Sequence, residues 1–225
     1  MLRGLIWFRS DLRIDDNTAL LKAANSCDEL IGVYIFSQKQ WNLHHESNVK
    51  QDFLIQNLII LEKQLKKLHI PLIALKTDTF DSLPEDLQKF IDTHQIKSCY
   101  WNNEFGVNEN KRDDAAETLL TANSIQTSRY HDQVLYEPGF LRTGQDKPFS
   151  VFTPFKRRWI ENFSMSFLDL DQVEKPLKKT NLISDLSALK LEKSHQVNMD
   201  AWPAGEANAF ARLQEFLEHK INNYS

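Results

Sequence analysis

Two short stretches hold the residues best suited to chemistry. "QWNLHHES", Gln40 to Ser47, carries a His-His pair directly after an apolar run. A metal half-site would need a matching His or Cys cluster nearby in sequence, and none follows. His44 therefore reads as a solvated or core-edge imidazole, and no metal is expected. "GVNENKRDD", Gly106 to Asp114, sets Asn108 and Glu109 at the start of a helical pattern. Asn108 suits an N-cap, and Glu109 suits the positive helix end. The carboxylate has a second use, because it can accept two adjacent N–H donors in bidentate fashion. A third stretch, "LIWFRSDLRIDDNTAL", runs four apolar residues into Arg9, Asp11, Arg13, Asp15 and Asp16. With no glycine there to cradle a phosphate, the alternating charges read as pairing with each other and with neighbouring loops. Asp15, Asp16 or Asn17 would cap the helix that follows. No residue in the chain is assigned a catalytic role.

The elements that must position these groups show in the hydrophobic pattern. Short apolar runs at Leu5–Phe8, Leu30–Phe36, Leu72–Leu75 and Ser98–Trp101, with a weaker one at Gln126–Tyr130, read as strands. Their unbroken apolarity suggests burial on both faces, as in a parallel sheet. Helical patterns lie between them, near Asn17–Asn25, Asn48–Leu68, Pro84–His94 and Glu109–Ala122. In the second, Leu54, Leu58, Leu61, Leu65 and Leu68 recur at helical spacing. The alternation predicts an α/β fold, a doubly wound and mainly five-stranded parallel Rossmann-like sheet over residues 1–130. Residues 131–202 read as a linker with a short helix at 152–163, Thr153 at its N-cap and Pro154 in its first turn. From 203 to 225 an amphipathic helix presents Phe210, Leu213, Phe216 and Leu217. It reads as the first helix of a truncated all-helical domain, with a dimer through that face as one outcome.

Bulk properties narrow the classes. The chain has 225 residues, 41% of them hydrophobic, and a formal net charge of −4. That charge does not advertise a nucleic-acid surface, and the basic triplet Lys156–Arg158 reads as a solvated helix face. No apolar run nears the ~20 residues that span a bilayer, and no signal peptide is apparent, so a cytoplasmic location is expected. Six glycines are few, and no dinucleotide or Walker loop occurs. Cys27 and Cys99 form no disulfide framework or metal spacing. The five tryptophans read as core or interface aromatics.

Together "WFRSDLRIDDNTAL", "YIFSQKQW", "NEFGVNENKRD" and "VFTPFKRRW" resemble the amino-terminal half of the photolyase/cryptochrome family, on the side of its folate-type bacterial members. The resemblance implies an antenna domain of a light-driven DNA repair enzyme. The full-length protein would bind FAD in an absent helical half and split cyclobutane pyrimidine dimers in damaged DNA, while this stretch alone would be inactive. It also implies a 5,10-methenyltetrahydrofolate antenna, with His44 beside the pterin ring, Trp41 shaping the cleft, and Asn108 with Glu109 on the pyrimidine edge. Tyr224 would be the first residue of the FAD pocket. A cryptochrome photoreceptor and a stand-alone nucleotide- or pterin-binding module are the alternatives.

Overall fold

The computed structural model describes residues 2–165, 173, 177–189 and 201–224. Five parallel strands make one sheet in the order β3-β2-β1-β4-β5. They are β1 (Arg3–Phe8), β2 (Glu29–Phe36), β3 (Leu72–Lys76), β4 (Ser98–Asn102) and β5 (Gln126–Tyr130). The register sets Leu5 beside Ile31 on one side and Cys99 on the other. Helices α1 (Thr18–Ser26), α2 (Gln38–Leu43), α3 (Asn48–Lys67), α4 (Leu83–Thr93) and α5 (Val107–Ala122) fill the crossovers. The expected doubly wound α/β architecture is what the chain adopts.

Strand residues of β1 alternate between the two faces, as a period of two requires. Ile6 and Phe8 pack with α1 and α3 through Ala19, Leu20, Leu58, Leu61 and Leu65. Leu5 and Trp7 pack with α4 and α5 through Leu87, Ile91, Ala116 and Leu120. Each fully buried leucine contributes roughly 1.5–3 kcal/mol, so Leu58, Leu61 and Leu65 suffice to seat α3. The buried stripe of α3 also takes in Ile55, while Leu54 and Leu68 are only partly covered. Cys27 and Cys99 are buried free thiols.

Two local features depart from the sequence reading. The polar run taken as a linker is docked where it is described. Ala74 N donates to Asp185 O at 2.8 Å, and Asp185 N donates to Leu72 O at 2.9 Å. This bridge occupies the outer edge of β3, whose unpaired backbone groups need partners. The helix at 152–163 is α6 (Phe152–Glu161), and its N-cap is Val151 rather than Thr153, with no side-chain capping bond. Its Trp159 closes an aromatic cluster with Tyr136 and Phe163. Of the two places read for the tryptophans, core or interface, Trp202 does not take the core, being 58% exposed beneath Arg212.

The last helix, α7 (Glu206–His219), is fastened at its start and bare along its side. The Glu206 carboxylate accepts from the backbone N–H groups of Ile14 and Asp15 and from the Gln64 amide. Gly205 N donates to Asn57 Oδ1 at 2.9 Å. At φ +97° Gly205 lies against Ile60, where a Cβ would be both strained and crowded. Beyond that turn Phe210, Leu213 and Leu217 are exposed, and Phe216 meets Tyr224 edge-on.

Candidate functional site

In an open parallel sheet, ligands sit beyond the carboxyl ends of the strands where the order reverses. Here that point lies between β1 and β4. A cleft of about 490 Å³ opens beside it, over the ends of β1 and β2 and between α2, α3 and α5.

The floor is a closed set of four charges. Asp113 on α5 is enclosed, and its carboxylate accepts from Arg9 Nη1 at 3.1 Å and from Arg112 Nη2 at 2.7 Å. Glu104, just past β4, accepts from Arg112 Nη2 at 2.8 Å and from Ser10 Oγ at 2.8 Å. Both guanidinium groups lie on the Trp7 ring, at 4.8 and 5.0 Å from its centroid. Burial would raise the Glu104 carboxyl, but Arg9 and Arg112 outweigh it and hold Glu104 below its ordinary value. Two cations and two anions thus cancel in a space that would tolerate neither sign alone.

The charges of the first motif do not pair with one another as expected. Arg9 turns to Asp113, and Arg13 turns to Asp132 beyond β5. Asp11 instead accepts the backbone N–H of Arg9 at 2.9 Å and the Asn102 amide at 2.7 Å. Asn17 is the helix cap, its Oδ1 accepting Leu20 N at 3.0 Å. The motif ties the end of β1 to β4, α1 and α5.

The rim is built differently. Ser37 caps α2 by accepting Gln40 N at 3.0 Å, so the six-residue helix starts at the end of β2. That helix carries Trp41, which is half-buried and packs on Phe36 with ring centroids 5.5 Å apart. His44 closes the helix, exposed, with its ring 2.7 Å from the Gln40 amide nitrogen. Glu46 and Lys50 pair at 2.8 Å on the same side.

Across the cleft, α5 begins at Val107 with Gly106 as its N-cap, two residues before the expected start. Asn108 is therefore inside the first turn and caps nothing. Glu109, the third helical residue, folds back over the cap, and a Cβ at Gly106 would collide with its Oε2. Glycine at this position leaves the carboxylate that room.

The structure thus brings His44, Trp41, Asn108 and Glu109 into one cleft. Tyr224 stands outside it, 79% exposed. Sequence reasoning missed the floor, and it missed Tyr34 and Phe36 from β2. A signal for part of the floor existed, since Asp113, Ala116 and Leu120 fall on one helical face. Among the described residues no group of three or more His, Cys, Asp or Glu could hold a metal ion. The cleft offers aromatic walls, one free carboxylate and one free amide, while its Ser10 hydroxyl is held by the Glu104 carboxylate, itself paired with Arg112. It suits a planar heterocycle with N–H donors on one edge.

The family model for DNA photolyase matches residues 4–178. A deoxyribodipyrimidine photo-lyase of Buchnera aphidicola subsp. Acyrthosiphon pisum is 32% identical, over 100% of this chain and 47% of its own length. The chain therefore spans about half the length of the curated relatives it matches. A bacterial class III photolyase structure from Agrobacterium tumefaciens aligns with a TM-score of 0.81 at 24% identity, covering 96% of this chain and 45% of that one. An archaeal photolyase structure from Sulfolobus tokodaii aligns at 0.68 and 21% identity, over 84% of this chain and 41% of that one. That structure is described as carrying two FAD molecules, with the implication of a novel light-harvesting cofactor. At these identities the two structures establish the fold alone.

Proposed function

The chain belongs to the DNA photolyase family, and from that premise we propose that its cleft is the antenna site of a light-driven DNA repair enzyme. The observation that carries this reading is the meeting of His44, Trp41, Asn108 and Glu109 in one cleft at the switch point of the sheet. The chemical class favoured is a reduced folate, 5,10-methenyltetrahydrofolate. Its pterin offers adjacent N–H donors, and Glu109 is a carboxylate without a hydrogen-bond partner among the described residues. The bound chromophore would supply only light absorption and transfer of the excitation to a flavin.

The protein's share of that task is orientation. Glu109 and Asn108 fix the donor edge, Trp41 and Phe36 offer an aromatic wall, and His44 flanks the ring from α2. Fixing the plane needs no general base, only groups such as Asn108 and Glu109, which have no side-chain hydrogen bond among the described residues.

In the full-length protein, FAD and damaged DNA would be held by a helical half, and electron donation from the flavin would split a cyclobutane pyrimidine dimer. The fastened first turn of α7 sets the direction in which that half would leave the α/β domain. The test is to purify the full-length protein with folate present, then measure near-ultraviolet absorbance and light-dependent dimer repair. Co-purified folate whose excitation raises repair is the expected result. A repair-active protein that binds no folate would overturn the antenna reading.

A further inference from the structure

Tyr34 is an unused group in the wall of the cleft. Its ring belongs to the core formed with Phe36, Leu58 and Leu61, and the residue is 6% exposed. Its hydroxyl makes no hydrogen bond among the described residues, yet it is not among the sealed polar atoms either. The residue lines the cleft. So the ring is core, the residue lines the cleft, and its oxygen is not sealed from solvent.

The nearby acceptors are already engaged. Glu104 holds Arg112 and Ser10, and Glu46 holds Lys50. Burial first, then the negative charges of Glu104 and Glu46, push the phenol far above its ordinary range. The hydroxyl is therefore a donor at neutral pH. A partly enclosed donor without a partner is satisfied by whatever places an acceptor against it.

We propose that Tyr34 is a specificity-determining residue of the cleft, donating a hydrogen bond to a carbonyl oxygen or ring nitrogen on the inner edge of a bound planar heterocycle. This rests on the cleft being the chromophore site, and it adds a second selection. Glu109 at the rim accepts from a donor edge, and Tyr34 in the wall demands an acceptor. A heterocycle lacking one of the two would bind more weakly.

The test is Tyr34→Phe in the full-length protein, which keeps the ring in the core and removes one oxygen. The probes are 5,10-methenyltetrahydrofolate and flavin mononucleotide, titrated separately. For a probe that the wild type binds, Kd should rise roughly three- to ten-fold, the worth of one neutral hydrogen bond. The absorption maximum of the bound probe should shift while melting stays unchanged, which a merely structural role for Tyr34 would not produce. Unchanged affinity and an unshifted band in Tyr34→Phe, with wild-type binding intact, would overturn the role of Tyr34 and leave the antenna reading standing. Binding of neither probe by the wild type would overturn both.

Discussion

On the floor of the cleft, Arg9, Glu104, Arg112 and Asp113 hold one another, whereas at the rim Asn108 and Glu109 make no side-chain hydrogen bond among the described residues. Both sets are charged or polar, and Arg9, Glu104 and Arg112 of the first line the same volume as Asn108 and Glu109, with Asp113 enclosed beneath. The floor groups are enclosed and mutually neutralised, so their energy belongs to the fold. The rim groups stand in partial contact with water, and a ligand can take them without breaking anything. Charge alone does not mark a binding residue, nor does an unmet hydrogen bond by itself, since Arg9 Nε and Nη2 lack hydrogen-bond partners among the described residues but are sealed from solvent. Unanswered hydrogen-bonding capacity that a ligand can reach does.

If that contrast holds, changes on the floor should cost stability and changes at the rim should cost binding. The largest expected effect is Asp113→Ala. It strips two buried guanidinium groups of their shared carboxylate and should destabilise the protein by about 3–5 kcal/mol in a denaturant melt. Glu104→Gln should cost less, about 1.5–3 kcal/mol, because Ser10 can still be satisfied. Acid should give the same answer without mutation. Glu104 has a folded pKa below its unfolded value of ~4.3, so its contribution is complete above that value. It is lost as the pH falls through the folded pKa, and Glu104→Gln should flatten that part of the stability profile.

The same contrast applies to α7, pinned at Glu206 and bare beyond it. Glu206→Ala should cost about 1 kcal/mol and speed hydrogen exchange at the Ile14 and Asp15 amides, which lose their acceptor. Unchanged exchange there would show that the pin is not holding the helix. The smallest effect should come from the exposed Lys39–Asp78 pair, 3.0 Å apart and open to water. Lys39→Ala should shift stability by at most ~1 kcal/mol and leave the cleft unaffected.

Much of this architecture was legible in the sequence, for reasons particular to its elements. After their first residues, Arg3 and Glu29, the strands β1 and β2 are apolar because both faces are covered, and α3 is long enough for its leucine period to show. Helix α2 has six residues and no repeat, so no period could reveal it. The start of α5 was misplaced because Asn108 is the better cap by residue type, while the observed cap is Gly106, which makes no side-chain capping bond. The docking of Asp185 on β3 is a long-range edge contact, which local pattern does not encode. In the cleft, His44, Asn108 and Glu109 were legible through their motifs. Arg112 and Asp113 were passed over, because in "NKRDD" they look like solvated helix charges, and only the shared helical face of Asp113 with Ala116 and Leu120 hinted otherwise.

The central claim is that the free Glu109 carboxylate receives the donor edge of a bound folate. Its most direct test is titration of full-length Glu109→Gln with 5,10-methenyltetrahydrofolate, read by bound absorbance beside a melting curve. Glutamine keeps the volume but sets N–H against N–H, which should cost about 1.5–3 kcal/mol of binding, or roughly ten- to a hundred-fold in Kd. The helix should lose only the dipole contribution of ~0.3–1 kcal/mol, so melting should scarcely move. Full folate occupancy by Glu109→Gln at concentrations near the wild-type Kd would contradict the account.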